Sequence, residues 1–223
     1  MFKQTLSIAA ASLIAGSALA QFQVTEIYPG ITGEDGTNDW FEITNFGAAT
    51  LDTGTIFWDD DGPNSADGAT LDSFLLAPGE SAVFLIAEDL ADVTDDDNFS
   101  NVITEFEAVW GTGITVGITN GGGNLSQNGD SVNLSLDGGT TFIISTAFGT
   151  GFANSGSTID TVSGLADSAI GVNGAFESNP FFNDNIGDSS DQFSIIGSPG
   201  VVPEPASLAL LGIGLAVAGL RRR

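Results

Sequence analysis

Residues 40–45 read WFEITN, and this short stretch decides the fold class of the chain. Apolar and polar side chains alternate along it. In an extended strand, Phe41 and Ile43 lie on one face, while Trp40 and Glu42 lie on the other. The stretch therefore predicts a β-strand that contributes Phe41 and Ile43 to a hydrophobic core.

Similar short runs recur on both sides of this strand, separated by Gly, Pro, Asn and Asp, and helical periodicity is almost absent. The predicted strands cover residues 22–28, 40–45, 55–58, 70–76, 81–87, 105–110, 131–136 and 141–147. Many short strands joined by tight turns are typical of an all-β sandwich, whereas alternating helices and strands would indicate a parallel sheet.

The charge balance restricts the chemistry of the chain. Its 223 residues include 29 acidic and four basic ones, and the basic residues are Lys3 and the three arginines at 221–223. Only Glu204 lies outside residues 21–200, so this body holds 29 − 1 = 28 acids and neither Lys nor Arg. The chain also lacks His and Cys.

These absences exclude several classes of function. A body without cations has no partner for phosphate groups, which argues against nucleic acid as a ligand. Catalysis by Ser-His, Cys-His or a Schiff-base lysine is excluded, and so is a zinc site made of His or Cys. The carboxylates can only repel one another, be hydrated, accept hydrogen bonds or bind external cations.

The N-terminal residues 1–20 have the features of a secretory signal peptide. Lys3 supplies the positive start, and residues 6–16 form a short apolar run. Ala18 and Ala20 then give the small-x-small pattern that signal peptidase recognises, which predicts cleavage before Gln21. The alternative, a buried N-terminal helix, fits these flanks less well.

The C-terminal residues 201–223 contain three features in order. These are a Pro-Glu-Pro box at Pro203, Glu204 and Pro205, a run of fifteen mainly apolar residues at 206–220, and a basic end at Arg221, Arg222 and Arg223. As a helix, the apolar run is about 22 Å long, shorter than the roughly 30 Å hydrocarbon core of a bilayer. The arginines favour the inside of the membrane, so the body would lie outside.

This arrangement resembles the PEP-CTERM sorting signal of Gram-negative bacteria. The resemblance implies that exosortase, a membrane-embedded cysteine protease-transpeptidase, recognises the Pro-Glu-Pro box and cleaves at or near it. It also implies a transmembrane helix at 206–220 that holds the chain only until cleavage, and then a location in the cell envelope or extracellular matrix. An ordinary single-span anchor is the alternative.

The order of the body's motifs resembles the lamin-tail domain, an immunoglobulin-like β-sandwich of secreted bacterial proteins. The residues that carry the resemblance are VTEI at 24–27, DWFEITNFG at 39–47, FLLAPGES at 74–81, LSQNGDSVNL at 125–134 and GSPG at 197–200. The resemblance implies a sandwich over residues 21–150 that docks or tethers, and it names no ligand. Residues 151–200 are expected to form additional strands and loops or a semi-ordered spacer, with a linker at 197–202.

Two acidic loops are rich in oxygen ligands. In the first, Asp59, Asp60, Asp61 and Asp67 are candidate ligands for Ca²⁺, which prefers six to eight oxygen atoms. The second lies at 92–98, and neither loop follows the EF-hand pattern. The alternative is that these carboxylates are solvated surface groups.

Two further groups suggest carbohydrate chemistry. Glu105 and Glu107 would share one face of a strand, and paired carboxylates perform glycoside hydrolysis. Trp58 or Trp110 could stack on sugar rings, although core packing is the simpler interpretation. The glycine-rich residues 120–124 read as a flexible loop, because the lysine of a phosphate-binding loop is missing.

The sequence therefore predicts an exported, non-enzymatic structural or binding protein of the cell surface. Signal peptidase and exosortase are the expected processing partners, the membrane is a transient one, and extracellular polysaccharide is a candidate ligand. The alternatives are a carboxylate-dependent carbohydrate-active enzyme and a calcium-stiffened adhesin.

Overall fold

The computed structural model describes residues 22–31, 36–63, 68–87, 90–91, 101–150, 156–182 and 192–202, and short strands dominate them. The strands are β1 (Phe22–Tyr28), β2 (Trp40–Asn45), β3 (Leu51–Asp52), β4 (Phe57–Asp59), β5 (Ala69–Thr70), β6 (Leu75–Leu76), β7 (Ser81–Leu85), β8 (Val116–Ile118), β9 (Gly129–Ser135), β10 (Phe142–Gly149), β11 (Ile159–Asp160), β12 (Ala166–Asp167), β13 (Phe176–Glu177), β14 (Phe181–Phe182), β15 (Gln192–Phe193) and β16 (Ile196–Gly197). The helices are a 3-10 turn at Thr53–Thr55 and α1 (Val102–Trp110). The all-β prediction is confirmed.

Two large sheets form the framework. One has six strands in the order β12-β11-β1-β2-β7-β8, and the other has four in the order β10-β9-β4-β5. Neighbouring strands are antiparallel except for β7 and β8, which are parallel. Three two-stranded pairs, β13-β16, β14-β15 and β3-β6, complete the described strands. An immunoglobulin-like, lamin-tail-like topology stays a prediction.

The larger hydrophobic core lies between the two large sheets. Phe41 and Ile43 of β2 are fully buried there and pack with Trp58 of β4 and Leu134 of β9. The ring centroids of Phe41 and Trp58 are 5.1 Å apart. The prediction that Phe41 and Ile43 are core residues is confirmed.

A second core covers the opposite face of the six-stranded sheet. Trp40 of β2 projects into it, with its ring 5.9 Å from Phe106 and 6.0 Å from Trp110 of α1. Phe181 and Ile195, which come from the C-terminal part of the body, close this core. Both faces of β2 are therefore buried, and the protein has a third layer outside the six-stranded sheet.

The predicted strand at 105–110 is wrong, because these residues belong to α1. The helix begins after Asn101, whose side chain accepts hydrogen bonds from the backbone N–H groups of Ile103 and Thr104. Its buried residues Val102, Phe106 and Val109 follow a helical spacing and face the second core.

The predicted linker at 197–202 is also wrong for residues 197–200. We call residues 192–202 the closing segment, because they cross the outer face of the six-stranded sheet. Gly197 lies so close to its neighbours that an added Cβ would be 2.7 Å from Trp110 and 2.9 Å from Glu26. This part of the chain is packed into the fold.

Candidate functional site

Two buried glutamates lie side by side under the closing segment. Glu26 of β1 and Glu42 of β2 are register partners, and each is only 1% exposed. A β-bulge between Val24 and Glu26 shifts the register of β1. Val24 therefore faces the core between the sheets, while Glu26 faces the outer layer beside Glu42.

Both carboxyl groups accept hydrogen bonds from the closing segment. Glu26 accepts from the backbone N–H of Ser198 at 2.7 Å and from its hydroxyl at 3.1 Å, and also from the Thr158 hydroxyl. Glu42 accepts from the backbone N–H of Gly200 at 2.6 Å and from the Thr25 hydroxyl at 2.5 Å. The glutamate pair thus fixes the chain three residues before Pro203.

The pair is buried without any compensating cation, since residues 21–202 contain no Lys, Arg or His. Burial raises the pKa of Glu26 to about 7, despite the hydrogen bonds from Thr158 and Ser198. Burial, and then repulsion from Glu26, raise the pKa of Glu42 to about 8. At neutral pH the pair therefore retains a proton, because two adjacent buried charges would be costly.

The predicted calcium ligands Asp59, Asp60 and Asp61 lie together at the end of β4. One carboxylate oxygen from each lies within 4.8 Å of the others. Asp59 is buried, Asp60 is half-buried and Asp61 is exposed, and Asp59 Oδ1 accepts a 2.7 Å hydrogen bond from the Asp61 N–H. Asp67 lies outside the described residues, as does the acidic loop at 92–98.

Residues 120–124 form the predicted loop between strands, and this glycine-rich loop packs directly against the aspartate cluster. Asp60 Oδ2 accepts from the Asn124 N–H at 3.2 Å, and Trp58 Nε1 donates to the Gly121 carbonyl at 2.8 Å. Gly123 has φ +91°, and an added Cβ would lie 2.2 Å from Asp60 Oδ2. Glycine is needed for this close approach.

Further carboxylates raise the local negative charge around the aspartate cluster. Burial, and then the charge of Asp130, raise the pKa of Asp60 to about 6. Asp39 accepts a 3.1 Å hydrogen bond from the Leu125 N–H, and burial raises its pKa to about 7. A divalent cation would relieve this repulsion, and carboxylate oxygens are the ligands that Ca²⁺ prefers.

The carbohydrate-active candidates are not brought together. Glu105 and Glu107 lie on α1, where residues two apart point about 200° from each other. They therefore do not share a face, and that prediction is wrong. Trp58 is fully buried and Trp110 is 4% exposed, so neither ring is available to stack on a sugar in this conformation.

The glutamate pair and Asp39 were not identified as site residues from the sequence. Glu26 and Glu42 lie in strands with alternating patterns, which ordinarily place acids in solvent. Their burial depends on the third layer, formed by α1 and by residues more than one hundred positions further along the chain. The available signal was the absence of any cation in a body that places an acid within each of two successive predicted strands.

Comparison with protein families gives a match to the PEP-CTERM protein-sorting motif at residues 201–223. No curated protein and no solved structure gives a significant match. The motif indicates an exported protein that is targeted to exosortase, with a location in the cell envelope or outside the cell. This confirms the sorting signal predicted at the C-terminus.

The processing residues themselves lie outside the described part of the chain. These are Ala18, Ala20 and Gln21 at one end and Pro203, Glu204, Pro205, Arg221, Arg222 and Arg223 at the other. The predicted signal peptide and the predicted transmembrane helix at 206–220 lie there too. Among the residues that the structure describes, no helix is long and apolar enough to span a membrane.

Proposed function

We propose that the chain is a non-enzymatic structural or binding protein of the cell surface or extracellular matrix. In this proposal signal peptidase removes residues 1–20, and residues 206–220 hold the chain in the membrane until exosortase cleaves it. The observation that carries the proposal is the sorting motif, which begins at residue 201, within a closing segment that is packed into the fold. The mature product would therefore be a complete β-domain.

The chemistry of the body supports a role without catalysis. The glutamate pair has the raised pKa values often found in active sites, but the closing segment covers both carboxyl groups and uses their oxygens as hydrogen-bond acceptors. The resemblance to lamin-tail domains supports docking or tethering. Extracellular polysaccharide stays the candidate ligand class.

Replacing Pro203, Glu204 and Pro205 by alanine is expected to prevent processing. The variant would remain in the membrane fraction, and its intact mass would include residues 206–223. The unchanged chain expressed in a host without exosortase is the matched control, and it should likewise retain residues 206–223 and remain in the membrane fraction. A variant that is cleaved and released like the unchanged protein would contradict the proposal.

A second candidate function is calcium-stiffened adhesion, which the converging carboxylates of Asp59, Asp60 and Asp61 favour. Extracellular calcium modules bind with Kd values of about 10⁻⁴–10⁻³ M. At 10 mM Ca²⁺ such a site would raise the Tm by about 3–11 °C, whereas equal Mg²⁺ would raise it less. Differential scanning calorimetry measures both shifts.

Two asparagine variants separate calcium binding from charge screening. Asp61→Asn replaces one candidate carboxylate ligand by a neutral amide oxygen, which binds Ca²⁺ more weakly, and is expected to reduce the Ca²⁺ shift. Asp167→Asn removes the same charge from an exposed position on β12 and is expected to leave the shift unchanged. Equal Tm shifts with Ca²⁺ and Mg²⁺ in the unchanged protein would mean that both cations only screen the repulsion between carboxylates.

A further inference from the structure

The chain leaves the fold at a fixed point on its surface. The Gly200 N–H is held by Glu42, and the Val201 N–H donates to the Ser198 carbonyl at 2.9 Å. Val201 packs closely on Gly174, where an added Cβ would lie 2.4 Å from Val201 Cγ1. The position of Val202 is therefore set by the fold, and the sorting segment starts from there.

The surface around this point carries several exposed aliphatic side chains. We call it the exit face and define it as residues 73–79, 113–115, 169–175 and 200–202. A groove of about 410 Å³ connects the first two segments with Gly200 and Val202, and the third contacts Val201 through Gly174. Large aliphatic side chains project from these segments into solvent, namely Leu75 at 72% exposure, Ile170 at 65% and Val172 at 47%.

The exit face also lacks charge, although the body around it is strongly acidic. The four segments that define it contain no Asp or Glu. Two carboxylates border this face: Glu80 lines the groove and accepts a 2.7 Å hydrogen bond from the Ala77 N–H, and Asp52 accepts one from the Ser73 hydroxyl at 2.7 Å. A polyanion held close to a membrane would approach it with such a face, because surfaces that carry carboxylates are repelled by anionic lipids.

The length of chain after Val202 brings this face to the bilayer. Three residues lie between Val202 and Ala206, the first residue of the apolar run, so four Cα–Cα steps keep the two at most about 14 Å apart. The headgroup layer itself occupies about 5–7 Å of that distance. The apolar run is shorter than the hydrocarbon core is thick, which draws its flanking residues further inward.

We propose that the exit face rests on the lipid headgroup layer while the tail is uncleaved, with Leu75, Ile170 and Val172 inserted at the interface. This rests on the proposed function, in which residues 206–220 span the membrane. The contact would hold the body in one orientation, so that the Pro-Glu-Pro box is presented at the membrane surface. Cleavage would remove the tail and leave a polyanion with only a weak apolar contact, which favours release.

The absence of native cysteine allows a direct test with single-cysteine variants. Leu75→Cys and Ile170→Cys place a fluorescent NBD probe on the exit face. Ile143→Cys is the matched control, because Ile143 is 47% exposed on β10, an edge strand of the four-stranded sheet. The full chain is purified from membranes of a host without exosortase and reconstituted into phosphatidylcholine vesicles that contain headgroup-proximal doxyl lipid.

Quenching by the doxyl lipid is expected to be at least about twofold stronger at positions 75 and 170 than at position 143. Equal quenching at the three positions, in chains that resist carbonate extraction, would overturn the inference and leave the proposed function intact. Carbonate extraction of the full chain would instead contradict the membrane-inserted tail. If the probes at positions 75 and 170 became shielded from solvent only after co-reconstitution with exosortase, the exit face would contact the enzyme, and the proposed lipid contact would be overturned.

Discussion

Raising the pH from 5 to 9 is expected to lower the free energy of unfolding by more than about 3 kcal/mol. Burial raises the pKa of Glu26 and Asp39 to about 7 and that of Glu42 to about 8. A carboxyl group whose pKa is higher in the folded state than in the unfolded state stabilises the fold fully at pH values below its unfolded pKa. This stabilisation is lost as the pH rises through its folded pKa. The loss therefore falls mainly between pH 5 and 8. Urea unfolding of a chain spanning residues 21–202, followed by tryptophan fluorescence, measures it.

Two neutral substitutions identify the source of this pH dependence. Glu42→Gln keeps the size of the side chain and one of its two acceptor oxygens but removes its charge, so it is expected to remove most of the slope between pH 7 and 9 and to leave the part that Asp39 contributes near pH 7. Asp167→Asn removes an exposed charge on β12 and is expected to leave the slope unchanged. The glutamate pair would not be the source if Glu42→Gln retained the slope of the unchanged protein, or if that protein were equally stable at pH 5 and 9.

The closing segment gives a physical reason for burying two acids without a cation. Ser198 and Gly200 lie in a turn closed by the Val201 N–H, and both direct their own backbone N–H groups into the fold. Buried N–H groups need acceptors, and an aliphatic pair on β1 and β2 would leave them unpaired. The acids therefore bind the backbone of the closing segment, at the cost of a dependence on pH.

The long strands could be predicted from the sequence because their patterns are local. The predicted bounds of 22–28 and 40–45 match β1 and β2, and β7, β9 and β10 differ from their predictions by two residues or fewer at each end. Alternation with β-branched and aromatic residues sufficed for these strands. The sequence predicts a strand where α1 lies because EFE at 105–107 alternates like a strand, although Asn101 just before the helix is a favourable N-cap residue.

The arrangement of the glutamate pair could not be predicted from strand patterns. Simple alternation would place Glu26 on the same face as Val24, and only the bulge between them turns Glu26 to the outer layer. The third layer depends on contacts between β2 and α1 and between β2 and the closing segment, far apart in the chain. By contrast, Asp59, Asp60 and Asp61 are adjacent in sequence, so their proximity at the end of β4 follows from the chain itself.

The closing segment also carries a core residue whose loss tests the third layer. Ile195 is fully buried among Trp40, Phe106 and their neighbours, although it lies only a few residues before the sorting motif. A spacer would tolerate any small side chain at this position. A packed layer would not, because truncating a buried isoleucine removes contacts and leaves a cavity.

Ile195→Ala is therefore expected to lower the free energy of unfolding by about 2–5 kcal/mol. Urea unfolding of the 21–202 chain at pH 5, where the glutamate pair is protonated, measures the change without the charge effect. Ile170→Ala makes the same truncation at a side chain that is 65% exposed, and it is expected to change stability by less than about 0.5 kcal/mol. Equal, small effects of the two substitutions would mean that the closing segment is not part of the cooperative fold. A large effect of Ile195→Ala alone would require exosortase to cleave after this segment, since cleavage before it would remove part of the core.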